Sequence, residues 1–319
     1  MSRWRLWVGI AVSAVCVYLV ARRINWPSFV SALAHVRLPW LAAGMLASAA
    51  SYGVSGLRWR HVISREAVLT RREAFHTVAI GNLANVVAPS RAGDFARSAL
   101  VARWKAVPVS RVLGGVLVER YADVVMLIAL AAMLWFAVRF PVPVRVGVVS
   151  FAVAGVAAIV AVLFMADRLP RLIGRIISTV APSFGASVAG FLHGMFTGIR
   201  SAAHADLFAG TLGLSTIVWT FAGIAMLCNL RAFDLQVPWY SAFFVLLVVN
   251  LGGVIPASPG SVGLYHYLAM LALTVWITDA DRALGFAVVA HATGLGVTTL
   301  LGLGSLTARH ESLFRLTTA

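Results

Sequence analysis

Three short stretches of this chain combine ionisable or helix-breaking residues with long apolar sequence, and each could do chemistry. The first runs from Gly81 to Arg97 and carries Asn82, Asn85, Pro89, Arg91, Gly93, Asp94 and Arg97. Proline interrupts a helix because it lacks an amide proton. Asparagine and glycine can satisfy the loosened backbone, an arrangement tolerated at membrane depth where it lines a cavity. If a helix resumes after Pro89, Arg91, Asp94 and Arg97 follow at three-residue spacing, so one carboxylate could hold two guanidinium groups on one face. Arginine suits bidentate phosphate contact. The same charges could also snorkel to an interface.

The second stretch is Glu119, Arg120 and Asp123 at the start of a long apolar run. Ionisable groups inside a bilayer cost about 2.5–3.5 kcal/mol each on insertion scales and face a cavity or one another. Glu119 and Asp123 repel at i,i+4 if both are ionised. Either Arg120 answers Asp123 at i,i+3 or the basic residues of the first stretch answer both acids. A carboxylate kept protonated by desolvation could instead couple to protons, and an ion-pair clamp between helices is the structural alternative.

The third stretch runs from Asn250 to His266 through Gly252, Gly253, Pro256, Pro259, Gly260 and Gly263. It cannot be one straight helix. A Pro-Gly break between helical halves would leave backbone amides at a helix N-terminus, where anions are favoured. The first and third stretches share an order of Asn, apolar residues, Pro and Gly. That order reads as a weak inverted repeat of broken helices, the device with which secondary transporters build a midplane site, although two such breaks could also arise independently. His76, His266 and His291 show no HExxH or HxH spacing, so a metal site is not expected and each histidine reads as a hydrogen-bonded helix contact.

The elements that must hold these residues are membrane helices. Of 319 residues, 61% are hydrophobic and 12% charged, with a mean hydropathy of +0.90, whereas soluble domains carry about 25% charged residues. A large soluble catalytic domain is excluded, and no Walker A, dinucleotide or GxSxG motif is present. No cofactor is expected. The formal net charge of +15 points to anionic lipid headgroups or lipid-linked phosphate rather than nucleic acid. Cys16 and Cys228 lie in apolar runs without disulfide or metal spacing.

Apolar runs of spanning length cover Leu6–Ala21, Leu38–Leu57, Glu119–Phe140 extended back to Val112, Val144–Ala166, Leu207–Leu230 and Ala283–Leu306. Val237–Ile255 and Ser261–Ile277 are spans or half-spans. Ala74–Ala88 is too short to cross and reads as re-entrant. The Met1–Val20 segment is read as a retained signal anchor. The resulting expectation is an all-α polytopic bundle of about seven or eight spans or half-spans in one membrane domain, residues 1–319. Its repeat halves cover about residues 38–140 and 207–306, with an amphipathic connector at about 168–206. Assigning loops by the positive-inside rule puts 18 of the 26 Lys and Arg on the cytoplasmic side, Arg58 and Arg97 among them, and seven outside. The N-terminus is therefore expected in the cytoplasm. Most tryptophans, Trp59 and Trp104 included, are expected in the interfacial belt.

In this order the stretches resemble the lysylphosphatidylglycerol synthase membrane-domain family, also described as flippase-like integral membrane proteins, over roughly Leu38–Leu306. The family pattern stands here as Asn85, Pro89, Arg91, Gly93 and Arg97, as Glu119, Arg120 and Asp123, and as Pro259, Gly260 and Gly263. Asp94 replaces a glutamate, Ser261 a second glycine, and His266 an acid. The resemblance implies a bacterial inner-membrane domain that moves an anionic phospholipid or a polyprenyl-phosphate-linked lipid between leaflets. It also implies a separate lipid-modifying enzyme as a partner, because nothing in this chain could house the family's aminoacyltransferase. Arg91 and Arg97 would bind phosphate. Asp94, Glu119 and Asp123 would hold or release them, and the Pro259-Gly260 break would supply amides and a hinge. The alternatives are a membrane-embedded glycosyl- or acyltransferase with Glu119 or Asp123 as base, and a non-transporting partner of an envelope synthase.

Overall fold

The computed structural model describes residues 3–21, 25–87, 92–165, 173, 182–253, 255 and 258–311. Pro89, Arg91 and Pro256, named above, lie outside the described residues, as does most of the connector before residue 182. Among the described residues all regular structure is helical. In chain order the helices are α1 (Arg3–Ala21), α2 (Trp26–Ala34), α3 (Leu38–Val62), α4 (Arg71–Val87), α5 (Ala92–Lys105) and α6 (Val109–Trp135). They continue with α7 (Val142–Met165), α8 (Pro182–Ala202), α9 (Ala205–Ala232), α10 (Ser241–Gly252), α11 (Leu264–Leu273) and α12 (Ala280–Arg309). Helix α9, with 28 residues, and α12, with 30, are long and apolar enough to cross a bilayer on length and hydropathy alone. The bundle is that of a multi-pass helical membrane protein.

Local chemistry sets several boundaries. Pro39 in the first turn of α3 follows an extended Arg37, since proline loses nothing where the amide has no intrahelical acceptor. Asp279 caps α12 by accepting the Arg282 amide at 3.0 Å, and His310 ends it in a left-handed conformation. Thr70 and Glu73 exchange hydrogen bonds with each other's amides at 2.8 and 3.2 Å, a reciprocal cap that starts α4.

Two helical hairpins organise the interior. Helices α4 and α5 pack side by side, with Gly93 so close that a Cβ there would overlap the Gly81 carbonyl oxygen. Asn85 Oδ1 accepts the Gly93 amide at 2.8 Å near the turn, and Lys105 pairs with Glu73 at 3.0 Å across the open end. This is the returning element expected at Ala74–Ala88. The second hairpin pairs α10 with α11. With 12 and 10 residues these rise about 18 and 15 Å, half a bilayer core of about 30 Å. They are half-spans, and the chain folds back once there.

The hairpins open at opposite ends of the bundle. Helix α12 rises about 45 Å and lies at its C-terminus beside the base of the first hairpin, Arg309 being 3.9 Å from Glu73. At its N-terminus it lies near the base of the second, where Arg282 donates to the Phe233 carbonyl at 2.9 Å and Trp276 packs edge-on against Phe244. The second hairpin's tip, a 3₁₀ turn over Pro259–Ser261, rests on α4. The two broken elements therefore meet inside the bundle.

Candidate functional site

The charges of the first two stretches converge on one place, together with a residue that the sequence did not single out. Arg58, near the end of α3, donates from Nε to Glu119 Oε1 at 2.9 Å and from Nη1 to Asp123 Oδ1 at 2.7 Å. It also donates to Ser215 Oγ of α9 at 2.9 Å. Arg97 of α5 lies 2.7 Å from Glu119 Oε2 and 3.3 Å from Asp94. Arg120 of α6 reaches Asp94 at 2.8 Å and Asp123 at 3.2 Å. Trp219 Nε1 donates to Asp123 at 3.3 Å.

Three arginines thus face three carboxylates across α3, α5 and α6. The cluster is charge-balanced within the protein. Burial is graded: the Glu119 side chain is 2% exposed, Arg97 5% and Arg58 6%, while Asp94 reaches 16%, Asp123 18% and Arg120 33%. Arg120 is the accessible edge and Glu119 the floor. Glu119 and Ser215 each lie ten residues inside the start of their helices, about 15 Å along the axis, so the cluster sits far from either end of the bundle. At that depth an unpaired charge would be untenable, which explains why every acid has at least two cationic partners.

One arginine is incompletely satisfied. Arg97 Nη2 is close to Glu119 Oε2, but the angle is poor for a hydrogen bond, and Arg97 Nε has no acceptor among the described residues. Its guanidinium lies 4.5 Å over the Trp59 ring, and the indole N–H of Trp59, fully buried, also lacks an acceptor. Two buried donors therefore have no bonded oxygen among the described residues and could each take one from a ligand.

Of the expected site residues, Asp94, Arg97, Glu119, Arg120 and Asp123 are brought together. Arg120 answers Asp123 at i,i+3 as the first pairing scheme had it, the first stretch answers only Glu119, through Arg97, and Asp94 holds Arg97 and Arg120. Asn85 serves the hairpin turn. Asn250 bonds back to the Leu246 carbonyl at 2.8 Å within its own helix. Pro259, Gly260, Gly263 and His266 form the second hairpin's tip, where Gly260, Ser261 and Gly263 take positive φ of 68°, 54° and 86°. Three of the tip amides are engaged within the protein. Ser258 N donates to Ser13 Oγ at 3.0 Å, Ser261 N to the Ser258 carbonyl at 2.8 Å, and Gly263 N to His266 Nδ1 at 3.3 Å.

Arg58 and Arg97, counted as cytoplasmic charges, are instead buried at 5% and 4%, because carboxylates on α6 meet them. Trp59, expected in an interfacial belt, is the buried platform under Arg97 for the same reason. Arg58 carried a signal: three acids gathered in an apolar setting demand cations beyond Arg97 and Arg120, and Arg58 is the arginine that ends the preceding apolar run.

The Glycosyltransferase AglD of Haloferax volcanii is 26% identical over 96% of this chain, and the chain spans about half the length of that curated relative, 54%. Residues 6–302 match the lysylphosphatidylglycerol synthase TM region family, the family suggested by the order of the three stretches. With the α6 acids answered from α3 and α5 and the broken elements in contact, the chain belongs to the lysylphosphatidylglycerol synthase TM region family.

Proposed function

We propose that this protein translocates an anionic phospholipid or a lipid-linked phosphate between membrane leaflets, with the Arg58, Arg97 and Arg120 cluster as its headgroup site. The observation that carries this reading is the pair of buried donors without acceptors, Arg97 Nε and Trp59 Nε1, beside carboxylates that hold the arginines in place. A phosphate oxygen would complete both. A phosphate approaching the accessible Arg120 would compete with Asp94 and Asp123 for it, so occupancy would loosen α5 from α6. Family membership supports a lipid-related membrane role. The end of the bundle bearing Arg60, Arg65, Arg71 and Arg72 would face the cytoplasm of the bacterial inner membrane, and an enzyme that makes or consumes the lipid would be the functional partner.

The test is movement of labelled phosphatidylglycerol and of a labelled polyprenyl phosphate, in parallel, in liposomes holding the purified protein. Accelerated movement of either lipid, lost in Arg120→Gln with the folded state retained, is the expected result. No acceleration of either lipid by folded protein overturns the reading. The name of the AglD relative favours a second reading, glycosyl transfer on a lipid carrier, in which an acid of α6 would act as base. Both α6 acids are already ion-paired to arginines, so that reading requires one to be released first. Transfer of a sugar from a lipid-linked donor by the purified chain would establish it.

A further inference from the structure

The geometry points to a proton-binding site at the His266–His291 pair, where uptake of one proton from water releases the tip of the second hairpin. His266 stands in the first turn of α11 and His291 inside α12, and their rings meet with Nε2 of His266 3.2 Å from Nδ1 of His291. The other contact of His266 fixes the direction of that bond. Gly263 N–H is a donor only, and it faces His266 Nδ1 at 3.3 Å, so Nδ1 is the bare nitrogen and the hydrogen of neutral His266 is on Nε2. His291 Nδ1 therefore accepts, and its own hydrogen is on Nε2. The chain of bonds begins on the tip and ends on α12.

That chain has no place for another proton. A proton on His291 Nδ1 would face the His266 Nε2–H as donor against donor. If His266 answered by moving its hydrogen to Nδ1, that hydrogen would face the Gly263 amide. A proton placed directly on His266 Nδ1 meets the same amide. Each route breaks either the histidine contact or the Gly263 cap. Gly263 sits at φ 86° and ψ −60°, a conformation the cap helps to hold. Tyr265 stacks on His291 with centroids 4.3 Å apart and planes 10° from parallel, so a charged His291 would keep a favourable cation–π partner while the tip let go. The proton forms one N–H bond, and no other covalent bond changes.

Among the described residues no hydrogen bond or ion pair joins either histidine to a charged side chain; helices α3 and α9, which also pack on α12, carry Tyr52, Arg58, Arg60, His61, Asp206, Cys228 and Arg231. Helix α10 carries no titratable side chain, and α11 adds only Tyr265 and Tyr267. Helix α1, which touches α11, carries Cys16 and Tyr18 and, at its start, Arg3 and Arg5, at least eight residues before Ser13. Arg71, Arg72, Glu73 and His76 of α4, and Asp281, Arg282 and Arg309 of α12, lie toward the ends of their helices, at least nine residues from Asn85 or His291.

The proposal does not rest on the lipid reading, because its test measures the tip and not transport. In a Cys16→Ala/Cys228→Ala background in nanodiscs, spin labels on Val262→Cys and Leu300→Cys report the distance from the tip to α12 by pulsed electron resonance. A longer-distance population should grow as the pH is lowered from about 8 to about 4, and it should be absent at both values in His266→Gln/His291→Gln. If the double variant does not fold, His266→Asn and His291→Asn are measured singly, and each should blunt the response. An unchanged distribution in the labelled parent, or the same pH response in the histidine variants, overturns the proposal.

Discussion

Replacing Glu119 by Gln keeps the shape of the cluster floor and removes one charge, which makes it the sharpest test of the charge-balance argument. Glu119 accepts from Arg58 and lies beside Arg97, at 1% exposure for the whole residue. In the variant Arg58 keeps Asp123 and Arg97 keeps only Asp94 at 3.3 Å, so three guanidinium groups would share two carboxylates. Two charges at about 4 Å interact by about 4 kcal/mol at an effective dielectric near 20. Removing one partner of a buried pair costs about 3–5 kcal/mol. The Gln amide cannot compensate, because its NH2 would face a donor. We expect a loss of about 3–5 kcal/mol, read by equilibrium unfolding in mixed micelles with tryptophan fluorescence. The double variant Arg97→Gln/Glu119→Gln, which restores the balance, should recover at least about 1 kcal/mol of that loss as a coupling energy. A Glu119→Gln protein within about 0.5 kcal/mol of the parent, or strict additivity in the double variant, would refute the reasoning.

The hairpins make further predictions. Gly93→Ala would drive a methyl into the Gly81 carbonyl; overpacking costs typically about 1–3 kcal/mol, and because the clash is with backbone the variant should fall at or beyond the upper end in the same unfolding assay. Asn85→Ala leaves the Gly93 amide without its acceptor, a loss of about 1–3 kcal/mol, visible as faster proteolysis of the α4–α5 turn. Ser261→Gly should act in the other direction: the residue sits at φ 54°, which costs an L-residue about 1–2 kcal/mol, so the glycine variant should unfold later.

Much of this architecture was legible in the chain because the bilayer imposes a simple length rule. The long apolar runs became α3, α6, α7, α9 and α12, and the Pro and Gly breaks became hairpin turns. Helix ends were less legible. Val237–Ile255 shortened to Ser241–Gly252 because Pro238 and the glycines withdraw backbone from the helix, and α2 went unread because nine residues are too few for a spanning pattern. The acid cluster could be read from cost alone, since Glu119 and Asp123 required partners. Which cations answered them was harder to read, because Arg58 is 61 positions from Glu119 and its place at the end of an apolar run equally fits a cytoplasmic loop charge. The histidine contact was equally hidden, since 25 positions separate its members.

Helix α12 is fastened at three levels: to the second hairpin's base through Arg282, to its tip through His291, and to the first hairpin's base through Arg309. A rod held near its middle behaves as a seesaw. In the proposed lipid carrier, a tilt that moved α12 away from one hairpin's base would press it toward the other's, so the two ends of the bundle would not open together.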